Sequence, residues 1–136
     1  MSMIDANHVP DVSDGEILAR YAMQSSHFRR SDQTAKPELF MPHPHQELSL
    51  TRYLDATIEE VLAIGEDIAK NQNPSRTLYG RADIQVIRCK VDSLRVVKDP
   101  TPTNPNHANI QGFPLDKLEQ KLIALKLAAN AKFYPI

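Results

Sequence analysis

Glu16-Ile17-Leu18-Ala19-Arg20-Tyr21-Ala22-Met23 is the stretch on which the fold turns. Ser13 and Glu16 stand at capping-box spacing, which would open a helix here. Ile17, Ala19, Tyr21 and Met23 alternate with their neighbours instead, and that alternation predicts a strand. On this reading order begins near Gly15, and the Asp-, Asn-, Pro- and Ser-bearing residues 1–14 form a flexible N-terminal arm.

Working outward, residues 24–47 are polar and proline-punctuated, with an apolar island at Leu39-Phe40-Met41. The chain then returns to strand pattern, Leu48, Leu50, Arg52 and Leu54 opposing Ser49, Thr51 and Tyr53. Thr57-Ile58-Glu59-Glu60 is a capping box, and Ile58, Val61, Leu62, Gly65, Ile68 and Ala69 follow at helical spacing, predicting a helix that ends near Lys70. Residues 78–91 read as one long strand. Ala82, Ile84 and Val86 share one parity and Ile87, Cys89 and Val91 the other, which predicts a bulge near Val86-Ile87. Residues 94–97 read as its hairpin partner across Asp92-Ser93.

Pro100, Pro102 and Pro105 make residues 99–112 a second stiff loop, expected to hold neither helix nor central strand. A last helix runs from about Leu115 or Lys117 to Ala131, with Asp116 and Glu119 at cap spacing. Leu118, Leu122, Leu125 and Ala129, widened by Ile123 and Leu127, are its expected buried stripe, and Lys117, Lys121, Lys126 and Lys132 its wet face. The fold class that results is α+β. A single domain over residues 15–136 holds a small, mostly antiparallel sheet, two main helices and two Pro-rich loops.

The composition agrees with one globular core, 41% hydrophobic and 24% charged over 136 residues, with 10 Pro against 4 Gly stiffening the connections. The single cysteine, Cys89, can close no internal disulfide, no signal-like segment opens the chain, and no apolar run approaches a membrane span. These features predict a cytoplasmic protein with no membrane partner. The net charge of −1 conceals an asymmetry: residues 1–70 carry six Lys and Arg against twelve Asp and Glu, residues 71–136 ten against five. In a small domain such halves interleave and largely cancel.

Four of the five histidines lie in loop-like sequence, where sites tend to form. Ser25-Ser26-His27-Phe28-Arg29-Arg30 brings two hydroxyls, an imidazole and two guanidiniums together, a composition suited to an anion. Ser25, Ser26, Arg29 and Arg30 are the candidate ligand-binding residues there, joined by Asn109, and His27 and His107 are the candidate acid/base groups. None of the glycines forms a phosphate-cradling loop. His43 and His45, one residue apart, would project to the same side of an extended segment toward a divalent metal, completed by His107, Asp32 or His27 if the loops meet. Against a metal stand the absence of paired cysteines and of His-Glu-x-x-His spacing, and no other cofactor is predicted. Nucleic acid could engage Arg29, Arg30, Arg76, Arg81, Arg88 and Lys90, but the absence of tryptophan and the 6% aromatic content argue against a dedicated binder. Strand burial likewise argues against Cys89 as a nucleophile.

Asn106-His107-Ala108-Asn109-Ile110 resembles the His-Pro-Asn-Ile segment of ubiquitin-conjugating enzymes over five residues. Ala108 stands where that family has proline, and no cysteine follows to carry its chemistry, so the resemblance brings no activity with it. The sequence is read as a small binding or accessory protein whose two Pro-rich loops share one side of the sheet. They present His27, His43, His45, His107 and Asn109 to a protein partner or a small anionic ligand. The alternative is a small enzyme acting on a phosphate-containing or nucleotide-like substrate, with His27 or His107 as acid/base and Arg29 and Arg30 as anion clamp.

Overall fold

In the computed structural model, which describes residues 8–42 and 46–136, residues 17–22 form a strand, β1 (Ile17–Ala22). The Ser13–Glu16 pairing also forms, the Ser13 N–H donating to the Glu16 carboxylate at 2.7 Å, but it closes a turn ahead of the strand. After a 3-10 turn at Ser25–His27 come β2 (Phe28–Arg29) and β3 (Thr34–Ala35), a separate two-stranded hairpin, and a second 3-10 turn at Pro37–Phe40. Then follow β4 (Leu48–Arg52), α1 (Ile58–Lys70), β5 (Gly80–Gln85), the single turn α2 (Val86–Cys89), β6 (Arg95–Lys98), β7 (His107–Gln111), α3 (Lys117–Ala129) and β8 (Lys132–Pro135). The main sheet runs β6-β7-β4-β1-β5-β8, with every pairing antiparallel. β1 is therefore an inner strand, paired on both sides, and that is why strand prevails over helix there.

The strand alternation sorts side chains to two faces. Leu18, Leu48, Leu50, Ile84 and Ile110 join Leu39, Phe40, Ile123 and Leu127 in the main core beneath α3. On the opposite face Tyr21 meets α1, its hydroxyl donating to the Val61 carbonyl at 2.6 Å. Burial pushes the Tyr21 phenol up to about 12, so it stays a neutral donor. The capping box of α1 forms as read, with Thr57 and Glu60 each bonding the other's backbone N–H at 3.1 Å.

Gly65 is set by this contact, because a Cβ there would lie 2.5 Å from Cε1 of Tyr21. Gly65→Ala gains helix propensity of about 1 kcal/mol but forces the ring out of place. We expect a net loss of about 1–2 kcal/mol by denaturant titration, within the range for overpacking, and recovery of most of it in a Tyr21→Leu background.

Several expectations are corrected. The parity flip at Val86-Ile87 is not a bulge: β5 ends at Gln85 and one helical turn, α2, rotates the chain, burying Val86 and Cys89 and exposing Ile87. Residues 95–98 do not pair with β5; β6 lies at the far edge against β7. The second Pro-rich loop does contain an inner strand, since Pro105 is its last proline and His107-Ala108-Asn109-Ile110-Gln111 then alternates, pairing with β6 and β4. On α3 the expected buried stripe holds at Ile123 and Leu127 but not at its leucine row. Leu118, Leu122 and Leu125 are 69, 52 and 46 % exposed, whereas Gln120, Ile123, Ala124 and Leu127 face the core. Of the expected arm, residues 9–11 are docked: Val9 is buried, its carbonyl accepts from Lys98 Nζ at 2.7 Å, and the Pro10 carbonyl accepts from Arg52 at 2.8 Å.

Candidate functional site

β1 and β5 pair along the whole of β1, but β1 and β4 pair only at Leu18↔Arg52 and Ala19↔Thr51. Beyond Ala19 the two strands part, and Arg20 fills the gap. Its Nε donates to the Leu39 carbonyl and its Nη1 to the Ser49 carbonyl, both at 2.9 Å. Desolvation pulls its pKa down to about 10, which leaves it charged at neutral pH. This gap opens into a cleft of about 410 Å³, within the size range of small-ligand sites. Arg20, His27, Thr51, Gln72, Arg76 and His107 are among the residues that line it.

His107 is oriented by its neighbour Asp99. It opens β7 opposite Thr51, and its Nδ1 lies 2.9 Å from the Asp99 carbonyl and 3.1 Å from Asp99 Oδ2. With Nδ1–H donated to Asp99, Nε2 is the nitrogen left to serve as acceptor, an arrangement that fixes both tautomer and ring direction. Asp99 is itself held, accepting from Asn109 Nδ2 at 3.0 Å, and Gln111 Nε2 donates to Glu47 at 2.9 Å further along the same face. Asn109 thus acts behind the imidazole, as the support of its carboxylate. Asn104 Nδ2 donates to the Thr51 hydroxyl at 3.0 Å, fixing the strand beneath.

Glu38 is the carboxylate of the cleft. Its own backbone amide, acting against desolvation and aided by Lys121 at 3.1 Å, holds its pKa below the usual value. It remains an anion, and any anionic guest has to settle on the Arg20, Arg76 and His107 side.

Comparison with protein-family models, with curated proteins and with solved structures finds no match for this chain. The site therefore stands on its own geometry.

Of the residues singled out in the sequence, His27 and His107 both line the cleft. Ser25 and Ser26 are exposed on the preceding 3-10 turn, and Arg29 and Arg30 lie out on the β2–β3 hairpin, outside that lining. Arg29 bonds Thr34 at 3.3 Å and Asp32 bonds the same hydroxyl at 2.7 Å, so the hairpin tip satisfies itself. His43 and His45 lie outside the described residues, and with them the expected meeting of His43 and His107. Among the described residues no three His, Cys, Asp or Glu side chains converge as a metal site. Cys89 is fully buried, and desolvation pushes its thiol up to about 12, far from a nucleophile's range.

Sequence reasoning missed Arg20, Gln72 and Asp99, and placed Arg76 only among the cations of a nucleic-acid face. Arg20 carries a signal, a cation at the parity that Leu18 and Ala22 fix as core. Gln72 and Arg76 carry none, because the exposed segment after α1 reaches the cleft only through the packing of α1 on the sheet. Asp99 becomes visible only once β6 and β7 are paired, since that pairing returns residue 107 to residue 99.

Proposed function

We propose that this chain is a small binding protein that holds a compact anionic ligand, bearing phosphate or carboxylate, in the cleft between β1 and β4. One observation carries the reading: Arg20, Arg76, His27 and His107 line a single cavity of ligand size. Arg20 is fixed by two carbonyls, so its charge is placed before any ligand arrives, which reduces the ordering cost of binding. Arg76 approaches from the segment after α1 and supplies the adjustable cation. A buried unpaired thiol and a fold without paired cysteines support a reducing, cytoplasmic setting. No helix among the described residues is long and apolar enough to cross a membrane.

A second reading draws on His107 alone. An imidazole held by a carboxylate through Nδ1, on a residue lining a cleft that also carries guanidiniums, is equipped to take or give a proton on a phosphate-bearing substrate.

Calorimetry against inorganic phosphate, pyrophosphate, a nucleoside monophosphate and a dicarboxylate tests the binding reading. We expect Arg76→Ala to weaken binding about tenfold to a hundredfold, as loss of a charge-assisted hydrogen bond does, and affinity to fall as salt rises. Arg29→Ala with Arg30→Ala should leave affinity unchanged. Equal binding by wild type and Arg76→Ala removes the cleft as the site. Turnover of any probe that His107→Gln abolishes while binding persists would bring the enzyme reading forward.

A further inference from the structure

Helix α3 carries leucines on two opposite sides. Ile123, Ala124 and Leu127 hold it to the core, while Leu118, Leu122 and Leu125 stand 69, 52 and 46 % exposed on the other side. With Ala129 these residues fall at alternating spacings of three and four, the a and d positions of a heptad, so they form one straight row along the helix. A contiguous apolar row of this kind marks a surface that packs against something.

We propose that the row is a self-association surface on which a second copy of this chain packs its own α3, antiparallel, about a two-fold axis. The charges beside the row choose this occupant. Glu119 and Lys126 flank one edge of the row and Lys121 the other. In an antiparallel pair centred between residues 123 and 124, Leu122 meets Leu125 of the second copy and Glu119 meets Lys126 of the second copy. The two-fold axis makes each contact twice. A parallel pair would set Lys121 against Lys126 of the second copy, cation against cation, and is disfavoured. Lys126 already bonds Asp92 of its own chain at 3.2 Å, and Lys121 bonds Glu38 at 3.1 Å, so both ammoniums are held in place before association. Covering the row leaves the cleft between β1 and β4 untouched, because none of the row's leucines lines it. The inference is therefore independent of the ligand reading.

Sedimentation equilibrium on the full chain, over a concentration series, is the test. The wild type should form a reversible dimer. Leu122→Glu, at the centre of the row, should raise the dissociation constant about thirtyfold or more, the effect of losing an interface hot spot, with an unchanged circular dichroism spectrum. Should Leu122→Glu fail to fold, Leu118→Asn serves in its place. Glu119→Lys alone and Lys126→Glu alone should each weaken the dimer, and the double exchange should restore it. A wild type that stays monomeric overturns the proposal, and so does a dimer that Leu122→Glu leaves intact. Indifference to the charge exchange overturns it as well. A monomer that instead binds anionic vesicles through the same leucines assigns the row to a lipid surface and overturns it too.

Discussion

Arg52→Ala should cost about 3–5 kcal/mol in urea titration, the loss found when one partner of a buried ion pair is removed. Arg52 is 1 % exposed and lies on the core parity of β4. Its Nε and Nη2 each donate to a different oxygen of Glu16 at 2.8 Å, a bidentate pair, and Nη1 and Nη2 reach the carbonyls of Pro10 and Asp11 at 2.8 and 3.3 Å. One guanidinium thus joins β4, the turn before β1 and the N-terminal segment. Arg52→Lys should recover little, since a single ammonium cannot match the fork.

The same pair sets an acid limit. Burial alone would raise the Glu16 pKa, but the bonds from Arg52 and from the Ser13 N–H outweigh it and leave the pKa below its ordinary value. A carboxyl with a depressed folded-state pKa contributes stability that is present above its ordinary pKa and lost as the pH falls through the depressed one. Wild type should therefore lose stability across that acid window more steeply than Glu16→Gln, which has no such proton to take up. Parallel curves for the two proteins would show that the pair contributes nothing.

Leu127→Ala and Leu122→Ala should differ sharply, although both replace a leucine on one helix. Leu127 is fully buried in the main core, so its truncation should cost about 2–5 kcal/mol, transfer plus cavity. Leu122 is 52 % exposed, so its truncation should fall within about 0.5 kcal/mol when measured in dilute solution. Equal losses would mean that α3 is rotated from the orientation described.

That contrast marks the limit of what periodicity can decide. α3 has apolar residues at i, i+3, i+4 spacing twice over, one set through Leu118, Leu122 and Leu125 and one through Ile123 and Leu127. Spacing alone cannot say which set faces inward. The core choice was made by tertiary packing: α3 lies on the 3-10 turn Pro37–Phe40, and Ile123, Ala124 and Leu127 join Leu39 and Phe40 in the main core.

By itself the sequence determined what is local. The capping box and span of α1, the N-cap of α3, the alternation of β4 and the α+β class all follow from neighbours a few residues apart, whose hydrogen bonds and side-chain directions are set by backbone geometry. Tertiary structure decided what depends on distant partners. It placed β6 beside β7 instead of β5, turned Val86–Cys89 into a helical turn, and made a strand of His107–Gln111 by giving it β4 as a neighbour. It also brought His27 and His107 into one cleft with Arg20 and Arg76, while Arg29 and Arg30, the more conspicuous pair in sequence, remained outside on a hairpin. The physical reason is the same in each case. A strand has two hydrogen-bonding edges and a helix several apolar stripes, and only the rest of the chain determines which of them is occupied.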